Sequence, residues 1–76
     1  LGLERWLERF AAAATDARSV TLTSRIEPIP IASGDYGGRP NPHAWMSPTN
    51  GLLYVEAIRD ALSEADPANA DGYRRN

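Results

Sequence analysis

Four of the six prolines fall between positions 28 and 42, with three of the six glycines, and this stretch constrains the fold more than any other feature. Pro28 and Pro30 bracket Ile29. Proline has no N–H and its ring fixes φ, so neither a regular helix nor a central strand can pass through them. Gly34, Gly37, Gly38, Pro40 and Pro42 extend the interruption into a loop from Ser33 to Pro42. Regular structure must therefore lie on either side of it.

On the N-terminal side, Leu3, Trp6, Leu7, Phe10 and Ala14 fall at i, i+3, i+4, i+7 and i+11, with Glu4, Arg5, Glu8 and Arg9 opposite. This spacing predicts a surface helix that needs a partner layer, with Trp6 and Phe10 in the core. A turn over Thr15 to Ser19 leads into Val20 to Thr23, which reads as a short strand extendable to Arg25. On the C-terminal side, Ser47-Pro48 is a helix cap followed by proline at the first helical position. The helix it opens runs to about Ala65. Leu52, Val55, Ile58 and Leu62 form its core stripe, widened by Leu53, Ala57 and Ala61, while Glu56, Arg59, Asp60 and Glu64 read as a solvated face. Asp66-Pro67 repeats the cap-then-proline signal and starts a last helix toward Asn76. The order helix, strand, loop, helix is that of an α/β layer whose sheet neighbours are missing. A chain that starts in one helical pattern and stops inside another reads as a segment of a longer protein.

Composition excludes several functions. At 76 residues the chain forms one small domain at most, and a domain of that size buries only about 60% of its unfolded surface. There is no cysteine and one histidine, so neither a disulfide nor a closed structural zinc site can be built from this chain alone. The net charge is −2, and the eight arginines are scattered singly or in pairs, which argues against a nucleic-acid footprint. No apolar run approaches the roughly 20 residues of a membrane span.

The single histidine, His43, sits between Pro42 and Trp45 in Asn41 to Pro48, N-P-H-A-W-M-S-P. An imidazole in so stiff and apolar a setting suits a metal ligand, a poised base or a packed core residue. Ligands of α/β folds bind in loops outside the carboxyl ends of strands, and His43 lies in such a place. A hydrolase using His43 as general base would need a nucleophile or an oriented carboxylate within reach, and no nucleophile elbow, P-loop or H-E-x-x-H pair is present. A free-standing small interaction domain would need a closed core, which one short strand and three helical pieces do not obviously supply. Trp45 offers no lone pair and would wall a site by packing, and Tyr36 on the Gly-rich loop would cover the site, contact with a partner being the alternative.

The ordered set N-P-H-A-W-M-S-P-T-N-G, Tyr54-Val55-Glu56, and D-P-x-N-x-x-x-Y-x-x-N from Asp66 to Asn76 resembles the metal-binding solute-binding proteins of bacterial ABC transporters for manganese, zinc and iron. Leu1-Gly2-Leu3-Glu4 with Trp6-Leu7 is similar to the helix that precedes this region in the same family, so the resemblance runs along essentially the whole chain. It implies a bilobed receptor of two α/β lobes joined by one long rigid helix, with the metal held between them. On that reading, residues 1–76 are part of the N-terminal lobe, and Pro67 to Asn76 begin the connecting helix. His43 matches the second of two histidine ligands from the first lobe. The other histidine belongs upstream, and a Glu and an Asp come from the second lobe; Glu27, Asp35 and Glu56 are not substitutes for them.

The resemblance further implies a binding protein rather than an enzyme, periplasmic or lipid-anchored at the outer face of the cytoplasmic membrane. It would act as a monomer, capturing a divalent transition metal as transported ligand for an ABC permease. Zinc-type members often carry a histidine-rich, acidic loop before this region, whereas Asp35-Tyr36-Gly37-Gly38-Arg39 has no histidine. Manganese or iron is therefore favoured, with zinc as the alternative. Imidazole with carboxylate suits any of these ions, and the choice among them rests on geometry and supply.

Overall fold

Ser47 and Pro48 open the longest element, as their sequence signal requires. The Ser47 hydroxyl accepts from the Asn50 N–H, and the helix extends over Pro48–Ala65. The computed structural model describes all 76 residues. There are three α-helices, α1 (Leu7–Ala13), α2 (Pro48–Ala65) and α3 (Ala70–Arg75), with 3-10 turns at Leu22–Arg25 and Ala44–Met46 between α1 and α2 and at Pro67–Asn69 between α2 and α3.

The strand expected over Val20 to Thr23 is absent, and the α/β order is corrected accordingly. After extended Thr21 the backbone coils into the Leu22–Arg25 turn, with Ser24 N–H on Thr21 O and Ile26 N–H on Thr23 O, each at 3.2 Å. The β-branched residues there have no neighbouring strand to pair with, and a strand is stable only in a ladder. This turn instead packs across α2. Arg25 reaches Asp60 at 2.9 Å and Arg18 reaches Glu64 at 2.7 Å. The face is solvated as expected, the Glu64 side chain 69% and the Asp60 side chain 42% exposed, and it carries these two surface ion pairs to the preceding segment. Hydrogen bonds from Arg59 and then Arg25 keep the Asp60 carboxyl below the usual carboxylate range.

The proline-rich loop closes on itself. Asn41 N–H donates to Ile29 O at 2.8 Å and Ile31 N–H to Arg39 O at 2.9 Å, forming one antiparallel bridge between Pro30 and Pro40. In this kind of pair the flanking amides carry the bonds, so two prolines that lack an N–H cost the bridge nothing. Gly38, at φ +80°, donates to Ile31 O at 2.9 Å and turns the chain back.

The molecule measures 49 × 32 × 13 Å, and its radius of gyration is 15.2 Å against about 11 Å for a compact domain of this length. Its shortest dimension is close to the ~10–12 Å diameter of one helix, so the structure is a single layer. Only Ile26, Ala44 and Ala57 are buried. The expected core is therefore open: Trp6 is 64% exposed, Phe10 67% and Leu52 68%. Trp6 and Phe10 meet edge to face at 6.0 Å but have nothing above them. The apolar stripes exist as the spacing predicted, without a second layer to bury them.

Asp66 breaks the path from α2 to α3 at φ −137°, ψ 73°. The expected cap is here in position but not in bonding. Its Oδ2 accepts from Asn69 Nδ2 and from the Tyr73 hydroxyl, each at 2.8 Å. These two donors hold the Asp66 carboxyl below its ordinary range, Asn69 more strongly, and the same contact raises the Tyr73 phenol.

Candidate functional site

The bridge between Pro30 and Pro40 delivers the chain to Asn41, whose amide is already tied to Ile29. From there Asn41 forms an Asx turn across Pro42: its Oδ1 accepts the His43 backbone N–H at 3.0 Å. The same oxygen lies 2.9 Å from His43 Nδ1. His43 then starts the Ala44–Met46 turn, with Met46 N–H on His43 O at 3.2 Å. Asn50, in the first turn of α2, donates from Nδ2 to Ala44 O at 2.9 Å and pins that turn to the helix.

His43 is exposed, which removes the packed core residue from its three readings. Pro42 stiffens the backbone without covering the ring. Trp45 lies against it, ring centroids 5.1 Å apart and planes at 55°, so the tryptophan walls the imidazole as expected. An open cleft of about 350 Å3 lies beside it, lined by Ile29, Asn41, His43, Met46, Ser47 and Asn50 among others. Tyr36 does not line this cleft; its ring takes the Arg39 guanidinium at 5.5 Å, so it covers its own loop instead.

No three of the chain's histidine, aspartate and glutamate side chains converge as a metal cluster, and Glu27, Asp35 and Glu56 do not line the cleft beside His43. The donor set fits one coordination position of a divalent cation, supplied by a single imidazole. Sequence reasoning missed Asn41 and Asn50. The available signal for Asn41 was its place two residues before the histidine with proline between, an Asx-turn arrangement. Asn50 carried no signal beyond its place in the first turn of a helix.

The family described as zinc-uptake complex component A, periplasmic (ZnuA), matches residues 1–76. The chain belongs to this family. Among its ZnuA-family relatives, the iron-binding protein YfeA of Yersinia pestis is 53% identical over the whole chain, and the manganese-binding lipoprotein MntA of Halalkalibacterium halodurans is 40% identical. The chain spans about a quarter of the length of each (24%). A manganese-bound periplasmic metal binding protein from Candidatus Liberibacter asiaticus superposes with a TM-score of 0.63 at 42% identity, over 88% of this chain and 26% of that one. A single-layer ZnuA-family segment thus adopts the backbone found within a much longer solved protein. No helix in it is long and apolar enough to cross a membrane.

Proposed function

We propose that this chain is part of the first lobe of an ABC-transporter solute-binding protein, and that His43 is one of the ligands to a divalent metal held between two lobes. Residues 67–76 begin the helix that joins the lobes. The protein binds its ion and does not transform it, and it works in the periplasm or anchored by lipid outside the cytoplasmic membrane, passing the ion to a membrane permease. The observation that carries the reading is His43 itself: exposed at the lip of a cleft, with Nδ1 engaged by Asn41 and the remaining nitrogen unclaimed by any hydrogen bond. A ligand imidazole oriented by a hydrogen bond at its other nitrogen is the usual arrangement at metal centres.

Manganese or iron is favoured over zinc as the transported ion. The names of the iron-binding and manganese-binding relatives and the absence of histidine from the Gly-rich loop support this preference. The hydrolase reading is not favoured, because the Nδ1 partner is an amide rather than a carboxylate and the family is one of uptake-complex components. The open layer likewise disfavours a free-standing interaction domain, since three buried residues make no closed core.

The test is His43→Ala in the full-length protein, titrated with Mn2+ by calorimetry. Loss of tight binding with an unchanged circular dichroism spectrum is expected, since an exposed side chain contributes little to packing. Unchanged affinity overturns the ligand assignment.

A further inference from the structure

We infer that Asn41 is a positioning residue that holds His43 in the tautomer able to bind metal through Nε2. The inference deepens the reading above and rests on His43 being a ligand. A backbone N–H can only donate, so the Asn41 atom 3.0 Å from His43 N is the amide oxygen. That same oxygen stands 2.9 Å from Nδ1 and has no proton to give, so Nδ1 carries the hydrogen. A neutral imidazole has one N–H, which leaves the lone pair on Nε2.

The opposite tautomer, with the proton on Nε2, predominates for an imidazole free in water, and it would block that nitrogen. Asn41 reverses the preference before any ion arrives. Its backbone is held by Ile29 at 2.8 Å, and Pro42 fixes φ between acceptor and ring, so the oxygen is set by rigid neighbours rather than by the exposed histidine.

The experiment compares wild type, Asn41→Leu and Asn41→Asp in the full-length protein. Two-bond 15N–1H NMR of the metal-free protein reads the His43 tautomer at a pH where the ring is neutral, and calorimetry with Mn2+ alone reads affinity. Wild type and Asn41→Asp should carry the proton on Nδ1, with Asn41→Asp binding Mn2+ at least as tightly. Asn41→Leu should move the proton to Nε2 and lose roughly 10- to 100-fold in affinity, the usual range for removing such a partner. The inference is overturned if Asn41→Leu keeps the wild-type tautomer and affinity, or if Asn41→Asp, which preserves the acceptor, behaves like the leucine variant. His43→Ala separates the two readings: if it leaves affinity unchanged the ligand assignment fails, whereas if it abolishes binding while Asn41→Leu changes nothing, only the role of Asn41 fails.

Discussion

Asn50→Ala should cost a little stability and a little affinity, with the size of both set by one hydrogen bond. Asn50 gives its Nδ2 to Ala44 O at 2.9 Å and its backbone N–H to the Ser47 hydroxyl at a long 3.4 Å. Only the first contact is lost in the alanine variant. A hydrogen bond of ordinary length contributes about 1 kcal/mol net, and alanine's better helix propensity returns roughly half of that. The net destabilisation should be about 0.5 kcal/mol. For affinity, if the whole of that ~1 kcal/mol bond serves to order the turn behind His43, its loss lowers binding at most about fivefold. Urea unfolding and Mn2+ calorimetry of the full-length protein measure the two effects, with Ser47→Ala as a comparison that removes only the long capping contact. A loss of a hundredfold or more would refute the reasoning, because a splint cannot contribute more than the bond that forms it. So would unchanged values in both assays.

Two other perturbations follow from the loop and the helix junction. Gly38→Ala has open space for its Cβ but sits at φ +80°, so it should destabilise by about 1–2 kcal/mol through the backbone alone; an unaltered urea midpoint would show that the bridge does not depend on this turn. At the junction, the folded Asp66 carboxyl lies below its ordinary value, chiefly through Asn69 and then Tyr73, so its contribution is present above about pH 4 and is lost as pH falls through the folded pKa. Amide exchange across residues 69–73 should accelerate in that acid window and lose the step in Asp66→Asn. The Tyr73 phenol is raised, so its side of the contact weakens as pH climbs above about 10. An acid step that survives Asp66→Asn would assign it to another group.

Several elements were legible because their signals are local. Ser47-Pro48 marks the start of α2 by capping chemistry that involves neighbouring residues only, and the helix ends where expected, at Ala65. Pro28, Pro30, Pro40 and Pro42 exclude regular structure by covalent geometry. Val20 to Thr23 misled for the opposite reason: β-branched composition records fitness for a sheet surface, and that is realised only when another strand is present. The Leu52 to Leu62 stripe was legible as a pattern but not as a core, since burial depends on a second layer.

The sequence by itself determined where helices can run, where they cannot, and that one imidazole is available between two prolines and a tryptophan. Those properties follow from single residues and short spacings. Only the tertiary structure decided that Pro30 meets Pro40, that Arg25 and Arg18 pair with Asp60 and Glu64, and that Asn41 takes one nitrogen of His43 and leaves the other bare. Each of these depends on distance and direction in space. Residues 35 positions apart, as Arg25 and Asp60 are, carry no mutual signal in a single sequence. Even Asn41 and His43, two positions apart, need the Asx turn before the choice of nitrogen is made.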